Sequence, residues 1–130
     1  MKINSKHETQ NSKLTVLYHN FMDFQTQSID VVGKKITIIE DGEEIARAFL
    51  YVLHNELHKE PFGFIEDVLV DENYRGRGIG TKLITEVIAE AKRQGCYKLI
   101  ATSRYSNEKA HKFYDKLGFK NHGAEFRMDL

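Results

Sequence analysis

What this sequence lacks is a surplus of charge: 19 lysines and arginines are matched by 19 aspartates and glutamates, for a formal net charge of zero. A chain without excess charge of either sign has no overall attraction to nucleic acid or to an anionic membrane surface. Any anion it binds must be held locally, by oriented backbone and a few arginines. A single cysteine, Cys96, excludes an internal disulfide and suits a reducing compartment. No run approaches the ~18 apolar residues of a membrane helix, and no charged–apolar–small leader pattern stands at the N-terminus. The expectation is a soluble, cytoplasmic protein with no nucleic-acid or membrane partner. The six histidines show no ligand set. His54 and His58 are i, i+4 in a polar loop without a third ligand, so no metal is expected.

What is present is ordinary globular material, 41 % hydrophobic and 29 % charged over 130 residues, the size of one domain. Met1 to Lys13 is polar and reads as a frayed tail. Leu14–Tyr18, Lys34–Glu40, Glu44–Leu53 and Phe62–Val70 are β-branched and aromatic runs that read as strands. Asp41-Gly42 is a hairpin-turn signal between the second and third of them. From His19 to Gly33 the pattern is weak, with Phe21, Phe24 and Ile29 lining one short helix or a loop. Ile79, Leu83, Ile84, Val87, Ile88 and Ala91 share one face of a helix that Gly95 is placed to cap. Tyr97–Thr102 reads as a short strand. Ser106 or Asn107 can cap a second helix with Ala110, Phe113, Tyr114 and Leu117 on one stripe, ended by Gly118. Phe119–His122 and Glu125–Leu130 read as two final strands. The order predicts an α+β fold, a mixed and largely antiparallel sheet of about six or seven strands with helices on both faces. The strands flanking the first helix are parallel, joined by a right-handed crossover.

The informative stretch is the strand–turn–helix junction from Phe64 to Thr81, which turns through Gly76, Gly78 and Gly80. Glycines let a ligand approach the backbone. The first turn of the next helix offers unpaired N–H groups and the positive end of its dipole, together an anion site. A P-loop would need G-x-x-x-x-G-K-[ST]; here Thr81-Lys82 stand in inverted order and the spacing is one short. A dinucleotide fingerprint would need G-x-G-x-x-G; here the third glycine comes one residue early, and the next strand ends in Ala101-Thr102 rather than in an acid. What fits is Arg75-x-x-Gly78-x-Gly80, which resembles the pyrophosphate loop of the GNAT superfamily of acetyl-CoA-dependent N-acetyltransferases. Asn107, Ala110, Phe113, Tyr114, Gly118 and Phe119 are similar to that superfamily's N-x-x-A-x-x-F-Y-x-x-x-G-F segment, one helix and one strand further on. The likeness runs from about Lys34 to Leu130. More narrowly, Ile65–Val68 and Gly95–Lys98 are similar to stretches of glucosamine-6-phosphate N-acetyltransferases.

The resemblance implies a splay between the strands at Val68 and Ala101 that admits the pantetheine arm of acetyl-CoA. The backbone of Val68, Leu69 and Val70 would pair with that arm. The amides of Gly76, Arg77, Gly78, Ile79, Gly80 and Thr81, with the charges of Arg75 and Arg77, would hold the pyrophosphate, and Asn107 would complete the cofactor site. An alkyl ammonium with a pKa near ~10 must lose a proton before it attacks. Glu66, sharing a face with Val68 and Val70 by the strand period of two, is the candidate base, its pKa raised by Phe64, Ile65 and Val68. Tyr114 stands where the superfamily often has its general acid. Asp67, on the opposite face, reads as structural, His111 as an exposed helix histidine, and Cys96 as a thiol without catalytic partners. The chain departs from the superfamily between its first two strands, where His19–Gly33 is too short for the usual two helices. The acceptor cleft is then open, or closed by the second subunit of a homodimer. Two further readings stand beside N-acetyl transfer to a small-molecule or peptide amine: an acyl-CoA-binding module without catalysis, and, more distantly, a nucleotide-binding domain.

Overall fold

Three of the β-branched and aromatic runs become consecutive strands, separated by the Asp41-Gly42 turn and by the polar loop that carries the one proline. The computed structural model describes residues 22–130. It contains β1 (Val32–Glu40), β2 (Glu43–Leu53), β3 (Phe62–Val70), a 3-10 turn (Glu72–Tyr74), α1 (Ile79–Arg93), β4 (Leu99–Ala101) and α2 (Glu108–Lys116). The chain divides into two units, Met1–Asp30 and Val31–Leu130. In the first, residues 22–30 form no helix or strand and are exposed, Phe24 and Ile29 included. The expected tail over Met1–Lys13, the expected strand Leu14–Tyr18 and Phe21 lie outside the described residues.

The second unit holds one four-stranded sheet in the order β1-β2-β3-β4. The first two pairings are antiparallel and the last is parallel. The Asp41-Gly42 turn joins β1 to β2 with φ of 52° and 78°, both left-handed, as a two-residue type I′ hairpin turn demands. On β2, Ala46, Ala48, Leu50 and Val52 are buried, and α1 lays Leu83, Ile84, Val87 and Ala91 against them. Ile79 and Ile88 flank this core, so the apolar face read from the helical spacing is the face that packs. Both helices end in Schellman motifs. Cys96 N–H donates to the Ala91 carbonyl across Gly95, and Phe119 N–H to the Tyr114 carbonyl across Gly118.

One expectation fails. Residues 119–130 form no strand, and the described residues hold four strands rather than six or seven. Phe126, Met128 and Leu130 keep the alternation of a strand but are 95 %, 82 % and 115 % exposed. Alternation states which side chains would share a face. Pairing requires a neighbour with free backbone groups, and no strand in the described residues lies beside this segment.

Candidate active site

The site begins with an irregularity in β3. Phe49 is paired with Glu66 and Arg47 with Leu69, so that Asp67 and Val68 together stand opposite the single residue Ala48. This is a β-bulge, one extra residue in one strand, and Asp67 sits in it with φ of 50°. A non-glycine residue in that left-handed region costs about 1–2 kcal/mol, less for aspartate than for most. Arg47 meets Asp67 through two bonds, Nε to Oδ2 and Nη2 to Oδ1, each 3.1 Å. The bulge corrects the expected facing of Glu66. Counting by two puts Glu66, Val68 and Val70 on one face. The inserted residue instead puts Glu66 beside Phe49 on one face, and Val70 beside Ala46 on the other, where Val68 and Val70 pack against the core. Asp67, read from the sequence as structural, is held by Arg47 and also borders the cleft beside β3.

The parallel pairing stops just before the bulge. β3 meets β4 only from Gly63 to Ile65, against Leu99 to Ala101. Beyond Ile65 the two strands diverge, which is the splay the resemblance implied. Between them lies a cleft of about 290 Å³ lined by Ile65–Val68 of β3, Thr102 and Ser103 after β4, and Asn107, Ala110, Phe113 and Tyr114 of α2 and its cap. Glu66 and Tyr114, far apart in sequence, therefore share one cavity. Thr102 and Ser103 were not anticipated. Their signal was their place just beyond the carboxyl end of a parallel strand, where ligands of open α/β sheets gather.

The glycine turn is open in the way an anion site requires. Gly76 and Gly78 have φ of 78° and 74°, and Gly78 is the N-cap of α1 with no side-chain cap. Among the described residues, no acceptor meets the amides of Ile79, Gly80 or Thr81; the first bonded amide is that of Lys82, to the Gly78 carbonyl. Gly80 serves packing instead: the Phe113 ring lies 3.5 Å from where a Cβ would sit. The open amides are thus one side chain away from the cleft. Arg75 Nε donates to the Val70 carbonyl at 3.2 Å, occupying one backbone acceptor expected to face a ligand. Arg77 lies over the Tyr74 ring, 5.1 Å from its centroid.

Tyr114 is half-buried between the edges of Phe113 and Phe119, with ring centroids 5.2 Å away in both cases. Burial, and secondarily the charge of Glu66, raises its pKa above the usual phenol value. Glu66 is exposed at the cleft, not enclosed by Phe64, Ile65 and Val68 as expected. Asn107 caps α2, its side chain accepting from Ala110 N–H at 3.1 Å. His111 is half-buried rather than exposed, with Nε2 3.0 Å from the Arg104 carbonyl. Cys96, also half-buried, has its thiol pKa raised by burial and stays a thiol. The described residues contain no group of metal-ligating side chains.

A bulged strand, a parallel pair that parts at a cleft and an uncapped glycine-led helix define a class: an α+β domain with an open cleft beside an unpaired helix N-terminus. The particular family follows from comparison. The acetyltransferase (GNAT) family model matches residues 7–119, and the chain belongs to that family. Members of the GNAT superfamily move acetyl groups from acetyl-CoA to amines. The chain is 47 % identical over 68 residues to a glucosamine 6-phosphate N-acetyltransferase of Trypanosoma brucei brucei, covering 52 % of this chain and 44 % of that protein. It is 34 % identical over 91 residues to N-alpha-acetyltransferase 30 of Xenopus laevis, covering 68 % of this chain and 33 % of that one. The chain thus matches less than half the length of these relatives. Among solved structures, a Trypanosoma brucei acetyltransferase superposes with a TM-score of 0.67 at 31 % identity, covering 92 % of this chain and 77 % of that one. The glucosamine-6-phosphate N-acetyltransferase of Arabidopsis thaliana gives 0.68 at 28 %, covering 75 % and 66 %.

Proposed function

We propose that this chain transfers the acetyl group of acetyl-CoA to a primary amine of a small molecule or peptide, by direct attack, as a cytoplasmic enzyme. The observation that carries the reading is the shared cleft: Glu66 and Tyr114 line one cavity beside Val68, where β3 and β4 part. The open amides of Ile79–Thr81 fit a pyrophosphate, since among the described residues they have neither a cap nor an acceptor. Those amides, with Arg77 and the guanidinium nitrogens of Arg75 that bond nothing among the described residues, would hold it. When bound, acetyl-CoA supplies an activated acyl group and a thiolate leaving group.

The chain's own residues divide the remaining work. Glu66, exposed in the cleft, takes the amine's proton directly or through water. A backbone N–H near Val68, beside the bulge, would polarise the thioester carbonyl; one such donor is worth roughly 3 kcal/mol in the transition state. Tyr114 steadies the leaving sulfur. A phenol is ordinarily a weaker acid than a thiol, and burial weakens this one further, so full transfer of the phenol proton is uphill. The phenol therefore acts chiefly as a hydrogen-bond donor, and keeps its proton throughout the neutral range.

The acceptor classes suggested by the relatives are an amino-sugar phosphate and a peptide N-terminus. Thiol release from acetyl-CoA in the presence of glucosamine 6-phosphate, a free-N-terminal peptide and simple amines tests the reading. Release with at least one amine supports it. Binding of acetyl-CoA without release from any amine makes the domain an acyl-CoA-binding module instead. A second copy closing the open side of the cleft belongs to the same proposal, and the exposed Phe126, Met128 and Leu130 offer apolar surface for it. A monomeric sedimentation coefficient at working concentration would remove that part.

A further inference from the structure

The cleft depends on a backbone conformation that aspartate adopts reluctantly. Two aspartates here have left-handed φ. Asp41 lies in a hairpin turn that calls for it, whereas Asp67 lies inside a strand. Nothing in the local sequence around Asp67 supplies a turn: it is followed by Val68, Leu69 and Val70, all inclined to extended β structure. Left alone, such a run favours a regular ladder, with β3 paired to β2 without an extra residue and no departure from β4. What opposes this is Arg47 on β2. Its guanidinium grips both carboxylate oxygens of Asp67, and the two parallel bonds fix orientation as well as distance. The pair is only partly exposed on the arginine side, at 31 %, against 54 % for the aspartate. Arg47 is not among the residues lining the cleft.

We propose that Arg47 is a positioning residue of the acyl-CoA site: its two-point pair with Asp67 latches the β-bulge that places Val68 at the cleft wall. This rests on the reading of the cleft as an acetyl-CoA site. In regular register Val68 would shift relative to Ala48, and the residues after Ile65 would be free to continue along β4, closing the gap. The latch acts through Asp67, so a residue at position 67 that takes positive φ without help should make Arg47 dispensable. Glycine is that residue.

The test is a double-mutant cycle read by calorimetric binding of acetyl-CoA, with Arg47→Met, Asp67→Gly and the double variant. Arg47→Met should weaken binding by roughly tenfold when Asp67 is present. In the Asp67→Gly background, whatever that variant's own affinity, the same change should alter binding by less than about twofold. A purely electrostatic role for Arg47 towards the cofactor phosphates would instead persist in the glycine background, and would overturn the latch. Arg47→Met binding as tightly as the parent would also overturn it while leaving the acetyl-CoA reading intact. A parent protein that binds no acetyl-CoA defeats both. Should Arg47→Met alone fail to fold, a folded double variant that binds like Asp67→Gly still supports the latch, and an unfolded one makes Arg47 merely structural and ends it.

Discussion

The two helices among the described residues begin in opposite ways. α2 starts at Asn107, whose side chain bonds the Ala110 amide and so satisfies one of its own first-turn donors. α1 starts at Gly78, with no side chain to offer and the amides of Ile79, Gly80 and Thr81 facing no acceptor in the described residues. A capped start is worth about 1 kcal/mol to the fold. α1 forgoes that contribution and leaves positive dipole and free N–H groups where an anion can use them. The difference separates a helix start whose donors the fold satisfies from one whose donors it leaves open.

The strongest way to break this contrast is to give α1 a cap of its own. Gly78→Asp would place a carboxylate at the first turn, in a residue that tolerates positive φ. Acetyl-CoA affinity should fall by about a hundredfold or more, because a fixed anion occupies and repels the diphosphate position. Isothermal titration measures this, and an affinity within threefold of the parent would mean the pyrophosphate is held elsewhere. Next in size is the side chain that α2 lends to the cleft. Tyr114→Phe should lower kcat by roughly 10- to 100-fold with little change in acetyl-CoA affinity. Equal turnover would remove the phenol from the reaction. Glu66→Gln should lower kcat by roughly 10- to 100-fold, and unchanged turnover would point to another base or to none.

The converse change tests the other helix start. Asn107→Ala removes a cap that the fold uses, so it should cost about 1 kcal/mol and lower Tm by roughly 4 °C. Its effect on cofactor affinity should be small beside that of Gly78→Asp; a comparable loss would show that Asn107 binds the ligand as well. The smallest effect belongs to the far end of α1. There Arg93 and Lys34 hold the Glu90 carboxyl down to about 2, against an unfolded value near 4.3. A depressed carboxyl pKa stabilises above its unfolded value and loses that contribution as pH falls towards the folded one. Acid unfolding of the parent should therefore steepen between about pH 4 and 2, and Glu90→Gln should blunt that loss. Added salt should narrow the gap, since the groups are near the surface.

Much of the architecture was legible because it is local. The stripe from Ile79 to Ala91, the Asp41-Gly42 turn and the glycine stops at Gly95 and Gly118 each follow from period, φ preference or capping chemistry within a few residues. So did the open glycine turn at Gly76–Gly80, whose spacing sets it apart from two other phosphate loops. The failures were of another kind. Glu66 faces Phe49 because one residue is inserted at Asp67, and a bulge shifts parity without any composition signal. The segment after Gly118 alternates like a strand, yet finds no neighbour among the described residues.

By itself, then, the sequence determined the helices, the hairpin, the open first turn of α1 and, through two separated motifs, the family. These are properties of short stretches, where backbone preference and side-chain periodicity outweigh distant contacts. Only the tertiary structure decided that β3 and β4 part after Ile65, that Glu66 and Tyr114 meet across the gap, and that Arg47 reaches Asp67 from the next strand. Those depend on which strands pair and where pairing stops, and hydrogen bonds between strands join residues whose separation along the chain carries no record of their contact.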